Sequence, residues 1–275
     1  MANNYKKNFF KSFVQGRLSP KVGSKFQYFP INCWQKEFNL GKKLGFDGIE
    51  WIISDYSNPI FNKNYVNEII KLSKKYNIKI SSVSFDLFMK HPLFSIKQKD
   101  LDWILQNSKF FLKKLKVNRI GVPIEETSGI NNFEQFKKTQ KNLTLIFKEL
   151  KNLTKVSIET DLSPKNVKKL LEMKINNKIG FLLDIGNAMA NGYDIKDYFN
   201  YFSEKIYGVH IKKRGLLHTS TNKIINRYYE LDYLMKNLSL LKNLNDITLQ
   251  NFRSDNDYIK DVQKTLNVLN NYFKK

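Results

Sequence analysis

Apolar positions follow two rhythms along this chain. Short runs rich in β-branched and aromatic residues alternate with longer stretches in which apolar residues return every three or four positions. The short runs read as strands beginning near residues 12, 49, 79, 118, 155, 179, 206 and 246. Ser12–Arg17 comes first, then Ile49–Ile53 and Asn77–Phe85. Asn118–Val122 is expected to stop at Pro123, and Val156–Glu159 follows. The last three end at Asp184, at His210 to Lys212, and at Gln250. The longer stretches read as helices: Trp34–Leu44, Asn64–Tyr76, Asp100–Leu115, Asn132–Leu150, and one opened by Ser163 and Pro164. Residues 213–244 hold a loop and one or two helices. In the final helix, Asp257–Phe273, the residues Ile259, Val262, Leu266, Leu269 and Phe273 repeat at spacings of 3, 4, 3 and 4, so one face seals against a core.

Strand starts recur at intervals of about 24 to 40 residues, the size of a βα unit. Regular strand–helix alternation predicts an α/β fold with a parallel sheet and right-handed crossovers. Eight units favour closure, so the expectation is a (β/α)8 barrel filling residues 1–275 as one domain, with residues 1–11 as a lead-in. No glycine-rich dinucleotide fingerprint or Walker A sequence opens a helix after a strand, so the common nucleotide folds gain no support.

A parallel barrel gathers the C-terminal ends of its strands on one face. Four consecutive runs here end on residues with ligand chemistry: Glu159, Asp184, His210 and Gln250. Two carboxylates match the charge of a divalent ion, and an imidazole nitrogen and an amide oxygen complete a mixed set. Without a thiolate, this set suits Mn, Mg or Co, and zinc is also allowed.

Charge and cysteine usage narrow the class. The net charge of +22 invites a nucleic-acid or membrane-surface reading, but the lysines are spread over nearly every expected helix. With no dense basic block, nucleic acid is disfavoured as a partner. The single cysteine, Cys33, excludes a disulfide framework and a cysteine-based zinc site. The first residues lack the apolar core of a signal peptide, and no later run is long enough to span a bilayer, so a cytoplasmic protein is expected.

Gly45-Phe46-Asp47-Gly48-Ile49-Glu50-Trp51, Leu183-Asp184-Ile185-Gly186-Asn187-Ala188 and Val209-His210-Ile211-Lys212 occur in this order. With them the chain resembles the xylose-isomerase-like TIM barrels, the sugar phosphate isomerases and epimerases. The resemblance runs from Gln15 to Arg253 and looks closest to a branch associated with surface-polysaccharide genes. It implies that Glu159, Asp184 and His210 ligate a metal and that Glu159 takes part in proton transfer. The implied reaction is proton abstraction next to a carbonyl with a metal-stabilised enediolate, on a sugar or sugar phosphate. Better-known epimerases of the family carry glutamate at the position of Gln250. An amide can ligate a metal but cannot exchange a proton at neutral pH, so a one-base transfer by Glu159 is the simpler scheme. Many members have histidine near Asn187, which makes Asn187 an altered substrate contact. A glycine-rich loop expected after the seventh strand is replaced by residues 216–229.

Arg17, Lys212, Arg214 and Arg253 lie near the same barrel face, and arginine suits phosphate or carboxylate. Arg17 and Arg253 are the stronger candidates. Glu50, Asp86 and Glu125, read as ending other strands, are candidates for binding hydroxyls or relaying protons. Trp34, Trp51 and Phe88 are candidates for a sugar-pocket wall or for core, and His91 and His218 read as surface or loop residues. A lyase or dehydratase on the same site stays open, as does a degenerate barrel that binds a glycan precursor. An endonuclease IV-like nuclease needs many histidines, and the chain has 3. A homo-oligomer is left open, since no stretch marks an interface.

Overall fold

The structure is a computed structural model, and it describes residues 9–21, 23, 27–171, 179–215, 227–251 and 256–273. Its strands are β1 (Phe10–Val14), β2 (Gly48–Ile52), β3 (Lys79–Ser84), β4 (Arg119–Ile124), β5 (Lys155–Thr160), β6 (Gly180–Asp184), β7 (Ile206–Ile211) and β8 (Asp246–Leu249). They pair in sequence order, all parallel, and β1 joins both β2 and β8, so the sheet closes into an eight-stranded barrel. The helices of the crossovers include Trp34–Leu44, Lys63–Tyr76, Gln98–Leu115 and Phe133–Leu150, and Tyr258–Phe273 follows the last strand, all close to the sequence expectation. Among the described residues, no helix is long and apolar enough to cross a membrane.

The strand β4 does not stop at Pro123. Its register with β5 continues through Pro123↔Glu159 to Ile124↔Thr160. Proline removes one ladder donor, and its neighbours carry the pairing past it.

Side chains along each strand alternate between two environments. One set is apolar and buried, including Ile49, Trp51, Val156, Ile158, Val209, Ile211, Ile247 and Leu249, and it belongs to a continuous core with residues from the helices. The aromatic residues Trp34, Trp51 and Phe88 belong to this core rather than to a sugar-pocket wall. Trp51 donates through Nε1 to Asn58 Oδ1 at 2.9 Å, which satisfies its polar edge.

The other set faces the barrel axis and is polar. Arg119 on β4 donates to Asp246 on β8 through Nε at 2.9 Å and Nη2 at 2.8 Å, to Glu50 on β2 through Nη2 at 2.5 Å, and to Ser157 on β5 through Nη1 at 3.2 Å. A side chain that reaches strands on three sides has to cross the interior. Arg119, Glu50 and Asp246 are all fully buried. Gly208 makes room for the guanidinium, because a Cβ there would lie 2.6 Å from Arg119 Nε. An ionic layer thus fills the middle of the barrel, beneath the strand ends.

Candidate active site

The ends of β5, β6 and β7 bring Glu159, Asp184 and His210 together. Asp184 and His210 are register partners, and one ligand atom from each of the three residues lies within 4.8 Å of the others. His210 Nδ1 is 3.2 Å from Glu159 Oε1 and 4.0 Å from Asp184 Oδ2. Its other nitrogen, Nε2, is 2.7 Å from Glu50 Oε1. Nδ1 is therefore the atom that faces the two carboxylates, and Glu50 sets the ring's orientation from below. The second Glu50 oxygen is held by Arg119 at 2.5 Å and by Ser82 Oγ at 2.8 Å.

Asp184 is fixed by the chain that follows it. Its Oδ1 accepts the backbone N–H of Asn187 at 2.9 Å, capping the short helix Ile185–Ala190. Its Oδ2 pairs with Lys212 Nζ at 2.6 Å. Gly186 permits this approach, since a Cβ there would lie 2.8 Å from the Lys212 carbonyl oxygen. Asn187 donates through Nδ2 to Glu125 Oε2 at 2.6 Å and accepts from Arg214 Nη1 at 3.0 Å.

Gln250 follows β8, anchored by its backbone N–H to the Ile211 carbonyl at 3.0 Å. Its Nε2 donates to Gln27 Oε1 at 2.9 Å. Its Oε1 is buried and has no hydrogen-bond partner among the described residues. A buried carbonyl oxygen without a donor is costly unless something else satisfies it. Glu159, one of the clustered carboxylates, lines a cavity with Gln250, so this orphaned oxygen fits a divalent cation held with Asp184 and His210.

Electrostatics follow from burial and crowding. Burial pushes the His210 pKa down, but the Glu50 and Glu159 carboxylates outweigh it and hold the ring well above its ordinary value. Burial pushes Asp184 and Glu50 up, yet Lys212 and His210 hold Asp184 low, while His210 and Arg119 hold Glu50 low. The opposite outcome holds for Glu125, which burial and the Glu159 charge raise well above the usual carboxylate range. Burial lifts Asp86 to about 6, against the hydrogen bonds it accepts from Gln27 and Ser84.

A cavity of about 570 Å³ opens above this cluster, and its lining includes Asp86, Glu125, Glu159, Lys212, Arg214 and Gln250. Three expected substrate contacts, Glu50, Arg17 and Asn187, are not among its lining residues. Glu50 is the third residue of β2 rather than its end, and it is buried in the ionic layer. Arg17 is buried beside the cavity and donates through Nη2 to Gln27 Oε1 at 2.9 Å. His91 is exposed, whereas Arg253, His218 and residues 216–226 lie outside the described residues. Gln27, Arg119 and Asp246 carry roles that sequence reasoning missed. Arg119 and Asp246 occupy inward strand positions that alternation could have flagged, but Gln27 lies in a loop with no periodicity.

No protein-family model matches the chain, and no curated protein matches it either. Solved structures do. The chain is similar to an IolI protein with a bound zinc atom, at a TM-score of 0.73 and 15% identity, covering 97% of this chain and 100% of that one. It is similar to an L-ribulose 3-epimerase at a TM-score of 0.73 and 12% identity, covering 97% and 95%. A xylose isomerase-like TIM barrel protein from Mycobacterium smegmatis in complex with magnesium gives a TM-score of 0.67 at 13% identity, covering 96% and 97%. The chain has the fold of the xylose-isomerase-like TIM barrels.

Proposed function

We propose that this protein is a divalent-metal-dependent isomerase or epimerase of a sugar or sugar phosphate. The observation that carries the reading is the meeting of Glu159, Asp184 and His210, with Glu159 lining the same cavity as Gln250, whose carbonyl oxygen is orphaned. The neighbours add support of a coarser kind: one is an L-ribulose 3-epimerase, and others hold zinc or magnesium. Glu159, Asp184, His210 Nδ1 and Gln250 Oε1 would hold the ion. When bound, it would supply Lewis-acid polarisation of a carbonyl–hydroxyl pair and lower the cost of removing the adjacent carbon-bound proton.

The chain's own groups divide the remaining work. Glu159 lines the cavity and is the base that takes the proton. Gln250 cannot return one. Glu125, whose pKa burial and the nearby Glu159 charge raise well above the usual carboxylate range, stands on the same cavity wall as the candidate donor. That placement also favours a second reading, in which Glu125 protonates a departing hydroxyl and the enzyme is a dehydratase. Lys212 holds Asp184 in place and contributes positive charge at the cavity floor.

Elemental mass spectrometry of the purified protein beside Glu159→Ala and Asp184→Ala tests the centre. Near one divalent ion per chain, lost in both variants, is expected. Ketoses and ketose phosphates incubated in deuterated water with Mn²⁺ or Co²⁺ then test the chemistry. Deuterium incorporation without loss of hydroxyl supports isomerisation, and an unsaturated product moves the assignment to dehydration. A protein that takes up neither ion at millimolar concentration would overturn the metal-dependent reading.

A further inference from the structure

The hydrogen bonds around Gln250 admit one assignment of donors and acceptors. Arg17 can only donate, so the Gln27 atom that meets its Nη2 at 2.9 Å is the oxygen, Oε1. Gln27 Nε2 then faces Asp86 Oδ2, at 2.6 Å. The other Asp86 oxygen accepts from Ser84 Oγ, also at 2.6 Å. Gln250 meets the same Gln27 oxygen at 2.9 Å and must do so with its nitrogen. Its own oxygen is left over, buried, on the residue that lines the cavity with Glu159.

This matters because a carboxamide has two orientations of nearly equal shape, and only one offers an oxygen lone pair to a cation. A carboxylate has two equivalent oxygens and needs no such control. We propose that Gln27, anchored by Arg17 on one side and Asp86 on the other, is a positioning residue that locks the Gln250 amide with its carbonyl oxygen presented as a metal ligand. The inference rests on the metal reading above. It gives Arg17 and Asp86 one shared task, and it explains how a neutral residue works as a ligand at the end of β8. A neutral oxygen also avoids adding a further carboxylate to a cavity already lined by Asp86, Glu125 and Glu159.

The test compares Gln27→Met, Gln250→Glu and the double variant with wild type, using Co²⁺ alone as the probe. Methionine keeps the volume of the side chain and removes both hydrogen-bonding ends. Binding is followed by the visible absorption bands of Co²⁺, and thermal unfolding confirms that each variant is folded. Gln27→Met is expected to weaken Co²⁺ binding by about tenfold or more in the wild-type background and to alter the absorption bands. In the Gln250→Glu background the same substitution is expected to change affinity by less than about twofold, since a carboxylate needs no orienting. Equal weakening in both backgrounds would assign Gln27 a merely structural role and overturn the proposal, as would no weakening in either. If neither wild type nor Gln250→Glu takes up Co²⁺, the metal reading itself falls and takes the proposal with it. A metal-independent arm follows the Gln250 side-chain NH₂ by ¹⁵N NMR. Slow hydrogen exchange in wild type that becomes fast in Gln27→Met is expected, and fast exchange in wild type would overturn the proposal.

Discussion

His210 and Glu50 are 160 positions apart in sequence and meet inside the barrel at 2.7 Å, Nε2 to Oε1. The contact leaves Nδ1 as the nitrogen facing Glu159 and Asp184, so one carboxylate beneath the site decides which ring atom can serve as a ligand. Glu50 can do this because its other oxygen is engaged by Arg119 and Ser82.

Glu50→Gln keeps an oxygen for Arg119 and Ser82 but turns an NH₂ towards His210 Nε2. The ring must then accept at Nε2 and carry its proton on Nδ1, the nitrogen that faces Glu159 and Asp184. Metal affinity is expected to fall by about 10- to 100-fold. Titration with Mn²⁺ or Co²⁺ checks the affinity, and the ¹⁵N shifts of His210 report the tautomer. Unchanged affinity with an unchanged tautomer would mean that the ring is held by packing alone.

Arg119→Met removes the only cation in the described ionic layer below His210, leaves the buried Asp246 without a cation and leaves Glu50 with His210 alone. Breaking a buried pair by removing one partner costs about 3–5 kcal/mol. Urea unfolding at pH 7 should show a loss of that size. The loss should shrink as pH falls, because these carboxylates can then take up protons. Adding Asp246→Asn should recover part of it. A loss independent of pH would point to packing instead of charge.

The barrel and the clustering of Glu159, Asp184 and His210 could be read from the sequence for one physical reason. Parallel strands in register place equivalent C-terminal positions side by side, so Glu159, Asp184 and His210 were bound to converge once the strands were recognised. What the chain hid was longer in range. Arg119 begins its strand, where a charge ordinarily signals a solvent-facing edge, and its partner Asp246 is 127 residues away. Glu50 was expected at a strand end, but β2 runs on to Ile52 and leaves it below the cavity. Gln27 has no periodic context, and its role exists only because the loop after β1 folds over the end of β8 to reach Gln250, 223 residues on.

Asp86 makes stability depend on pH in a direction opposite to most buried, paired carboxylates. The native group keeps its proton to about pH 6, whereas an exposed aspartate releases it near 3.8. Between these values the folded chain binds more protons than the unfolded one, so stability declines as pH rises through the window and levels off above it. An asparagine in place of Asp86 would accept from Gln27 and donate to Ser84, carrying no charge. The variant Asp86→Asn should therefore be more stable than wild type at pH 8, by at most about 3 kcal/mol, and no more stable at pH 3. Denaturant midpoints at both pH values measure this. A stability difference of the same size at both would exclude titration of Asp86 as its source.

Metal uptake should itself report the state of His210. In the protein alone, the carboxylates of Glu50 and Glu159 overcome the effect of burial and favour the imidazolium. A ligating Nδ1 has to be neutral, so binding must expel that proton, and Lys212 must yield its hold on Asp184 Oδ2 without losing its own charge. One proton displaced per ion makes affinity rise about tenfold for each pH unit while the ring remains protonated in the free protein. Titrations with Mn²⁺ at pH 6, 7 and 8 measure the slope, and calorimetry in buffers of different ionisation enthalpy counts the protons released. The slope should persist in Lys212→Met, where the competing ammonium is gone and overall affinity is higher, because the proton comes from the ring. An affinity that does not change with pH would remove His210 from the ligand set. A slope that vanishes only in Lys212→Met would transfer the proton to the ammonium.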